Sequence, residues 1–369
     1  MLMVILAVSA FTTNPPKKSK LQAKVEALAE AEMPKVIAWR HHLHEHPELS
    51  NREYKTAEYI AAHLKSLGLE VQEGVAKTGV VAILKGGKPG PVVALRADID
   101  GLPVPERAEI PWASKARGEF NGADVPVMHA CGHDTHIAIL MGTAEVLTQV
   151  KSELRGTVKF IFQPAEEGAP KGEEGGAKLM VKEGVLKNPD VEAIFGLHIS
   201  AGTHVGNINY RPGGAMASAN TFEITIHGKQ SHGSVPWGSI DPIVTAAQIV
   251  NNVQTIVSRS MPLTTEAAVV SFGSIHGGLR SNIIPEEVKM VGTIRALNED
   301  MRQTIFKRLR TIVEKTAESN GATATLEIDE GYPITYNNVE LTNKMLPTLI
   351  SVMGEDHVRL SPAITGAED

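Results

Sequence analysis

The sequence predicts an α/β protein with a largely parallel central sheet, interrupted by an inserted α+β unit of ferredoxin-like order. Three observations predict it. Strand-length apolar runs alternate with helical patterns through the first half of the chain, the rhythm changes to β-α-β-β-α-β in the middle, and turn clusters bracket that change.

After a polar link rich in Pro and Lys (14–20), apolar residues at helical spacing through Leu28, Val36 and Ile37 predict a helix over 21–46. A second helix, 54–67, stops at Gly68. The runs 80–84 and 92–97, each bounded by Gly or Pro, predict strands; a helix over 135–150 and strands over 158–163 and 191–198 follow. The middle then reads strand 220–227, helix 242–258, strands 267–275 and 287–295, helix 300–319 and strand 322–329. Pro212-Gly213-Gly214 before this unit and Gly331-Tyr332-Pro333 after it suit a chain leaving one domain and returning to it. The expected division is therefore a leader and link over 1–20, one domain over 21–213 completed by 331–369, and an inserted domain over 214–330.

At 369 residues, two domains are the natural expectation, and 42% hydrophobic with 21% charged residues describes an ordinary globular chain. A formal net charge of -6 with no long Lys/Arg run argues against nucleic acid as a partner. The single cysteine, Cys131, excludes an internal disulfide and asks for another explanation. Met1 to Thr12 is apolar and contains Val8-Ser9-Ala10, resembling the core and cleavage site of an export signal without its basic start. It is too short to span a bilayer, which takes about 20 residues. Location follows it: periplasmic or secreted if it is a signal, cytoplasmic otherwise.

Three stretches carry chemistry. His129-Ala130-Cys131-Gly132-His133-Asp134-Thr135-His136 crowds the lone thiol and three imidazoles before a helix, a donor set suited to zinc or a related metal. Gln163-Pro164-Ala165-Glu166-Glu167-Gly168 places two carboxylates directly after an apolar strand. Neighbouring side chains diverge, so one can bind metal while the other faces a water; Glu173-Glu174, a few residues on, reads as a solvated turn. Ile194-Phe195-Gly196-Leu197-His198 is again a strand finishing in a ligand-type residue, and Arg96-Ala97-Asp98-Ile99-Asp100 ends its strand the same way. In open α/β sheets the ligand crevice lies beyond the carboxyl ends of the strands. Any one of these could be a surface or core residue; four on one edge outweigh that reading.

These residues resemble the metallopeptidase-like amidohydrolases that include hippurate hydrolase, bacterial N-acyl-amino-acid amidohydrolases and plant indole-acetyl-amino-acid hydrolases. The resemblance begins at His42-Leu43-His44-Glu45-His46-Pro47-Glu48-Leu49-Ser50 and takes in Arg96 to Pro103, Met128 to His136, Gln163 to Gly168 and Gly196-Leu197-His198. It continues at Gly228-Lys229-Gln230-Ser231-His232, Asn282-Ile283-Ile284-Pro285 and Gly366-Ala367-Glu368-Asp369. It implies a zinc-peptidase-like catalytic domain and an inserted lid or dimerisation domain, in a homodimer or homotetramer. By the resemblance Cys131, His133, Glu167 and His198 hold two divalent ions (zinc, manganese, cobalt or nickel), Glu166 is the general base, and His232 stabilises the oxyanion in a partner subunit's site. Asn282 and Arg280 are weaker candidates for holding the substrate carboxylate or carbonyl. Family chains continue past Gly366 to Asp369 to a further histidine ligand, a strand and a helix, so the resemblance implies an incomplete catalytic domain with weakened or absent activity; His357 lies outside the matching context.

The expected reaction is hydrolysis of the amide bond of N-acyl or N-aroyl amino acids. A dipeptidase or carboxypeptidase of the same fold is the nearest rival. A cysteine hydrolase using Cys131 and His133 leaves Glu166 and Glu167 without a role, and a metal-binding chain without turnover is the non-enzymatic alternative.

Overall fold

The computed structural model describes residues 19–369; the suspected export signal lies outside them. Among the described residues no helix is long and apolar enough to cross a membrane. Two compact units emerge, one made of the chain up to Asn207 with Thr348–His357, the other of Ile208–Pro347 with Val358–Asp369.

The first unit is built on a five-stranded sheet in the order Glu70–Val75, Gly79–Lys85, Arg155–Gln163, Lys88–Asp98, Ala193–Gly196. The last three strands run parallel, as expected. The first two form an antiparallel hairpin joined antiparallel to Arg155–Gln163, which makes the whole sheet mixed. Alternation along a strand sends neighbouring side chains to opposite faces. Phe160 and Phe162 therefore meet Ile60, Leu64, Ile137 and Met141 of the helices Tyr54–Ser66 and His133–Gln149, while Ile161 joins Val81, Ala94 and Met180 on the other face. Burying each such side chain contributes about 1.5–3 kcal/mol. Lys159 shares the Ile161 face, and its Nζ donates to the carbonyls of Val185 (2.9 Å) and Lys187 (2.7 Å), so the buried charge is solvated by backbone.

The strand expected over 191–198 is shorter, Ala193–Gly196. Beyond it the Ile199 N–H donates to His136 Nε2 at 2.8 Å, which draws the chain out of the sheet and leaves His198 on a loop. The parallel strands thus end at Asp98, Gln163 and Gly196 on one edge of the sheet.

The second unit contains the expected β-α-β-β-α-β order as a four-stranded antiparallel sheet, Ala268–Gly277, Glu287–Ala296, Ala219–His227, Thr323–Tyr332, with helices Pro242–Ser260 and Glu299–Ser319. Phe222, Ile224 and Ile226 alternate inward against Ile249, Val253, Ile256 and Leu309. Both helices begin where the sequence supplies a cap: Asp241 accepts from the N–H of Ile243 and Val244, and Asn298 from that of Met301.

Candidate metal centre

Cys131 and His133 flank Gly132, whose φ of 96° belongs to the left-handed region. A side chain there would be strained, and its Cβ would lie 2.4 Å from Ile199 Cγ2. Glycine therefore lets the chain turn tightly beneath the His198 loop and enter the helix at His133. The His133 side chain is fully buried. Its Nδ1–H donates to the Asp100 carbonyl at 2.8 Å, which turns Nε2 toward the strand ends.

That nitrogen is the geometric centre of the site. It lies 3.7 Å from carboxylate oxygens of Asp98 and of Glu166, and 3.9 Å from Glu167 Oε1. Neither His133 Nε2 nor Glu167 Oε1 has a hydrogen-bond partner, although both are buried. On the thiol side Cys131 Sγ is 3.4 Å from His198 Nε2. The donor atoms of Cys131, His133 and His198 all lie within 4.8 Å of one another, as do those of His133, Glu166 and Glu167. The structure thus brings together all five residues of the sequence-derived centre, with His133 common to both groups.

The electrostatics are those of a cation site. Burial alone would lower the His133 imidazolium, but Asp100, Cys131 and Asp98 overcome it and push it up to about 12. The imidazoles of His133 and His198 beside the thiol hold Cys131 below its ordinary value. Burial raises the Glu167 carboxyl, with His133 acting against it. An orphaned buried donor or acceptor costs about 1–3 kcal/mol. A thiol, two imidazoles and two carboxylates, with His133 Nε2 and Glu167 Oε1 buried and unpaired, are the donor set that a zinc-like ion satisfies, so the residues present fit such an ion.

Asp98 and His136 also stand here. Burial would raise Asp98, but a hydrogen bond from His136 Nδ1 (2.6 Å) and the Arg96 guanidinium (2.8 Å) hold it well below the usual carboxylate range. Although His136 is close enough to count as a ligand, both its nitrogens are engaged, one by Asp98 and one by the Ile199 N–H. Its role is to tie the His198 loop to the strand end. The sequence placed Asp98 at a strand end without giving it this part. His129 is buried with neither ring nitrogen hydrogen-bonded, and burial keeps it neutral by lowering it to about 4.

The remaining candidates lie in the second unit. His232 is on a two-residue strand, Ser231–His232, paired with Ile283–Ile284. Its Nδ1 accepts from the Ser234 N–H at 3.1 Å, which leaves the proton on Nε2. The Gly233 N–H donates to the Asn282 carbonyl at 2.8 Å, and the Ile283 N–H to that of Arg280 at 3.2 Å, so the three exposed candidates lie on two adjoining segments. His232 lines an open groove of about 500 Å³ with Lys229, Gln230, Ser231, Ile283 and Glu286. His357 pairs with Asn207 at 3.0 Å in the first unit.

Comparison with known proteins gives a consistent result. Residues 94–369 match the family model described as peptidase family M20/M25/M40. Thermostable carboxypeptidase 2 of Saccharolobus solfataricus is 42% identical over 336 residues, 90% of this chain and 81% of that protein. The N-acyl-L-amino acid amidohydrolase of Geobacillus stearothermophilus is 42% identical over 298 residues, 80% of this chain and 76% of that protein. Among solved structures, the Bacillus subtilis YXEP protein, a dinuclear metal binding peptidase from the M20 family, superposes with a TM-score of 0.76 at 36% identity, covering 93% of this chain and 85% of that one.

Proposed function

The chain belongs to peptidase family M20/M25/M40, and from that premise we propose that it hydrolyses the amide bond of N-acyl amino acids with two divalent ions held by Cys131, His133, Glu167 and His198. One observation carries the reading: His133 Nε2, buried and without a hydrogen-bond partner, stands between a thiol-imidazole group and a pair of carboxylates.

The ions, when bound, would lower the pKa of a water and polarise the scissile carbonyl. Glu166, 5% exposed and beside His133, takes the proton of the attacking water on a carboxylate oxygen and returns it to the leaving nitrogen. Glu167, its neighbour in sequence, is left to hold metal. Gly132 and His136 fix the loops that bring Cys131 and His198 together. His232 Nε2–H is a donor of the kind a tetrahedral oxyanion needs, and we assign it that part in a partner subunit's site. Arg280 and Asn282 are assigned to the substrate carboxylate or carbonyl.

Similarity to a carboxypeptidase keeps peptides as the second reading. A panel of N-acyl amino acids and peptides, run with elemental analysis and with and without EDTA, decides between them. Hydrolysis of acyl amino acids, abolished by chelation and restored by manganese or zinc, supports the proposal. Activity untouched by EDTA but lost to a thiol alkylator overturns it in favour of a cysteine nucleophile.

A further inference from the structure

The segment Ser50 to Glu53 takes no part in the chemistry above, yet Asn51 and Glu53 are 0% exposed. All four side chains support the loop that carries Glu166 and Glu167. The Ser50 hydroxyl donates to Asp100 Oδ2 at 2.6 Å, and the same oxygen accepts the Glu167 N–H at 3.0 Å. Asn51 Nδ2 donates to the Glu174 carbonyl at 3.1 Å, and Arg52 pairs with Glu173 at 2.6 Å. Glu53 accepts the Ala165 N–H on Oε1 at 2.9 Å and the Thr78 hydroxyl on Oε2 at 2.6 Å. The two backbone N–H groups on either side of Glu166 are therefore each held by a buried carboxylate.

Two features set Glu53 apart from an ordinary structural contact. It stands at the N-cap of the helix Tyr54–Ser66 yet makes no cap bond, the Thr56 N–H going to Glu48 instead. Ala165, the residue it grips, has φ of 52°, the left-handed region that an alanine avoids unless its surroundings enforce it. The N–H of this strained residue is met by a carboxylate of the protein's own, Glu53 Oε1. With no acceptor, a buried N–H facing nothing favours relaxation of the turn, which swings both following carboxylates.

We propose that Glu53 is a positioning residue for the reaction: by holding the Ala165 N–H in a left-handed turn it fixes where Glu166 and Glu167 stand relative to His133. The inference rests on the roles given to those two glutamates above. It is tested in the full chain with Glu53→Ala, Glu53→Gln and Thr78→Val, reading kcat and KM for an acyl amino acid, manganese or zinc affinity by chelator competition, and exchange of the Ala165 amide. Glu53→Ala is expected to lose about 10- to 100-fold in kcat or in metal affinity, the usual effect of removing an outer partner of a metal site, with KM little changed and the Ala165 amide exposed to exchange. Glu53→Gln keeps an acceptor for the N–H and is expected to recover most of the loss. Thr78→Val leaves Glu53 in place without its second tether, is expected to fall between, and decides the matter should Glu53→Ala not fold. Glu53→Ala or Thr78→Val with native kcat and metal affinity and only a lowered Tm would overturn the proposal, as would a folded Glu53→Gln as damaged as the alanine. Should the unmodified chain hydrolyse no acyl amino acid, the functional reading fails by itself, and metal affinity still judges Glu53 across the same variants.

Discussion

At the scale of single residues, the proposed reaction gives adjacent Glu166 and Glu167 different burdens, and substitution separates them. Glu166→Gln keeps the shape and removes the proton acceptor; kcat should fall by 10²- to 10⁴-fold, the span of general base catalysis, with metal content unchanged in elemental analysis. Glu167→Gln should instead release metal on dialysis, and a variant that keeps full occupancy would count against its place as a ligand. Glu53 offers a test by pH. Burial first, then the charge of Asp100, raises its carboxyl from an ordinary 4.5 to about 7. The folded state then binds the proton more tightly than the unfolded chain, so the stability this group contributes is complete below pH 4.5, is lost as pH rises to about 7, and is flat above. The size is about 3 kcal/mol, at 1.36 kcal/mol per decade of affinity. Denaturant titrations across that window should show the decline in the native chain and not in Glu53→Gln. The crowding of ligand-type residues near Cys131 was legible in the sequence because thiol, imidazole and carboxylate have few other reasons to cluster. The parts played by Asp100 and Glu53 were not, since both act on backbone N–H groups and nothing in residue type says which N–H a carboxylate will find; Ser50 acts only through Asp100.

At the scale of elements, long periodic segments were read closely: the helix expected over 300–319 is Glu299–Ser319, and the strand expected over 220–227 is Ala219–His227. The edge strand Glu70–Val75 was missed because it is largely exposed and carries charge, which hides its alternation. The helix Val339–Met353 was missed too; it holds Pro347 and buries no residue. The strand 191–198 was read too long because apolar composition cannot reveal that His136 captures the Ile199 N–H. The turn at Gly132 is where an element-level failure would reach the site. Gly132→Ala adds a methyl against Ile199 in a left-handed conformation, and it should cost at least about 1 kcal/mol of stability. It should also weaken metal binding, since Cys131 and His133 flank the turn. A calorimetric scan beside a chelator competition would show both effects, and unchanged metal affinity would remove the turn from the account.

At the scale of the whole molecule, the chain divides into a unit that holds every residue of the candidate metal centre and a second that holds His232, Asn282 and Arg280. The two sets should fail differently. His232→Ala should lower kcat by 10²- to 10³-fold, the loss seen when one oxyanion donor is removed, while metal content and the metal-dependent rise in Tm stay as they were. If the variant lost metal as well, His232 would belong to the centre itself.

The claim beneath all of this is that a lone thiol and ligands distant in sequence share bound cations. X-ray absorption on the chain loaded with zinc measures that directly. The account predicts a sulfur scatterer at about 2.3 Å from the metal, present in the native chain and absent from Cys131→Ser. A native spectrum fitted by nitrogen and oxygen alone would contradict it.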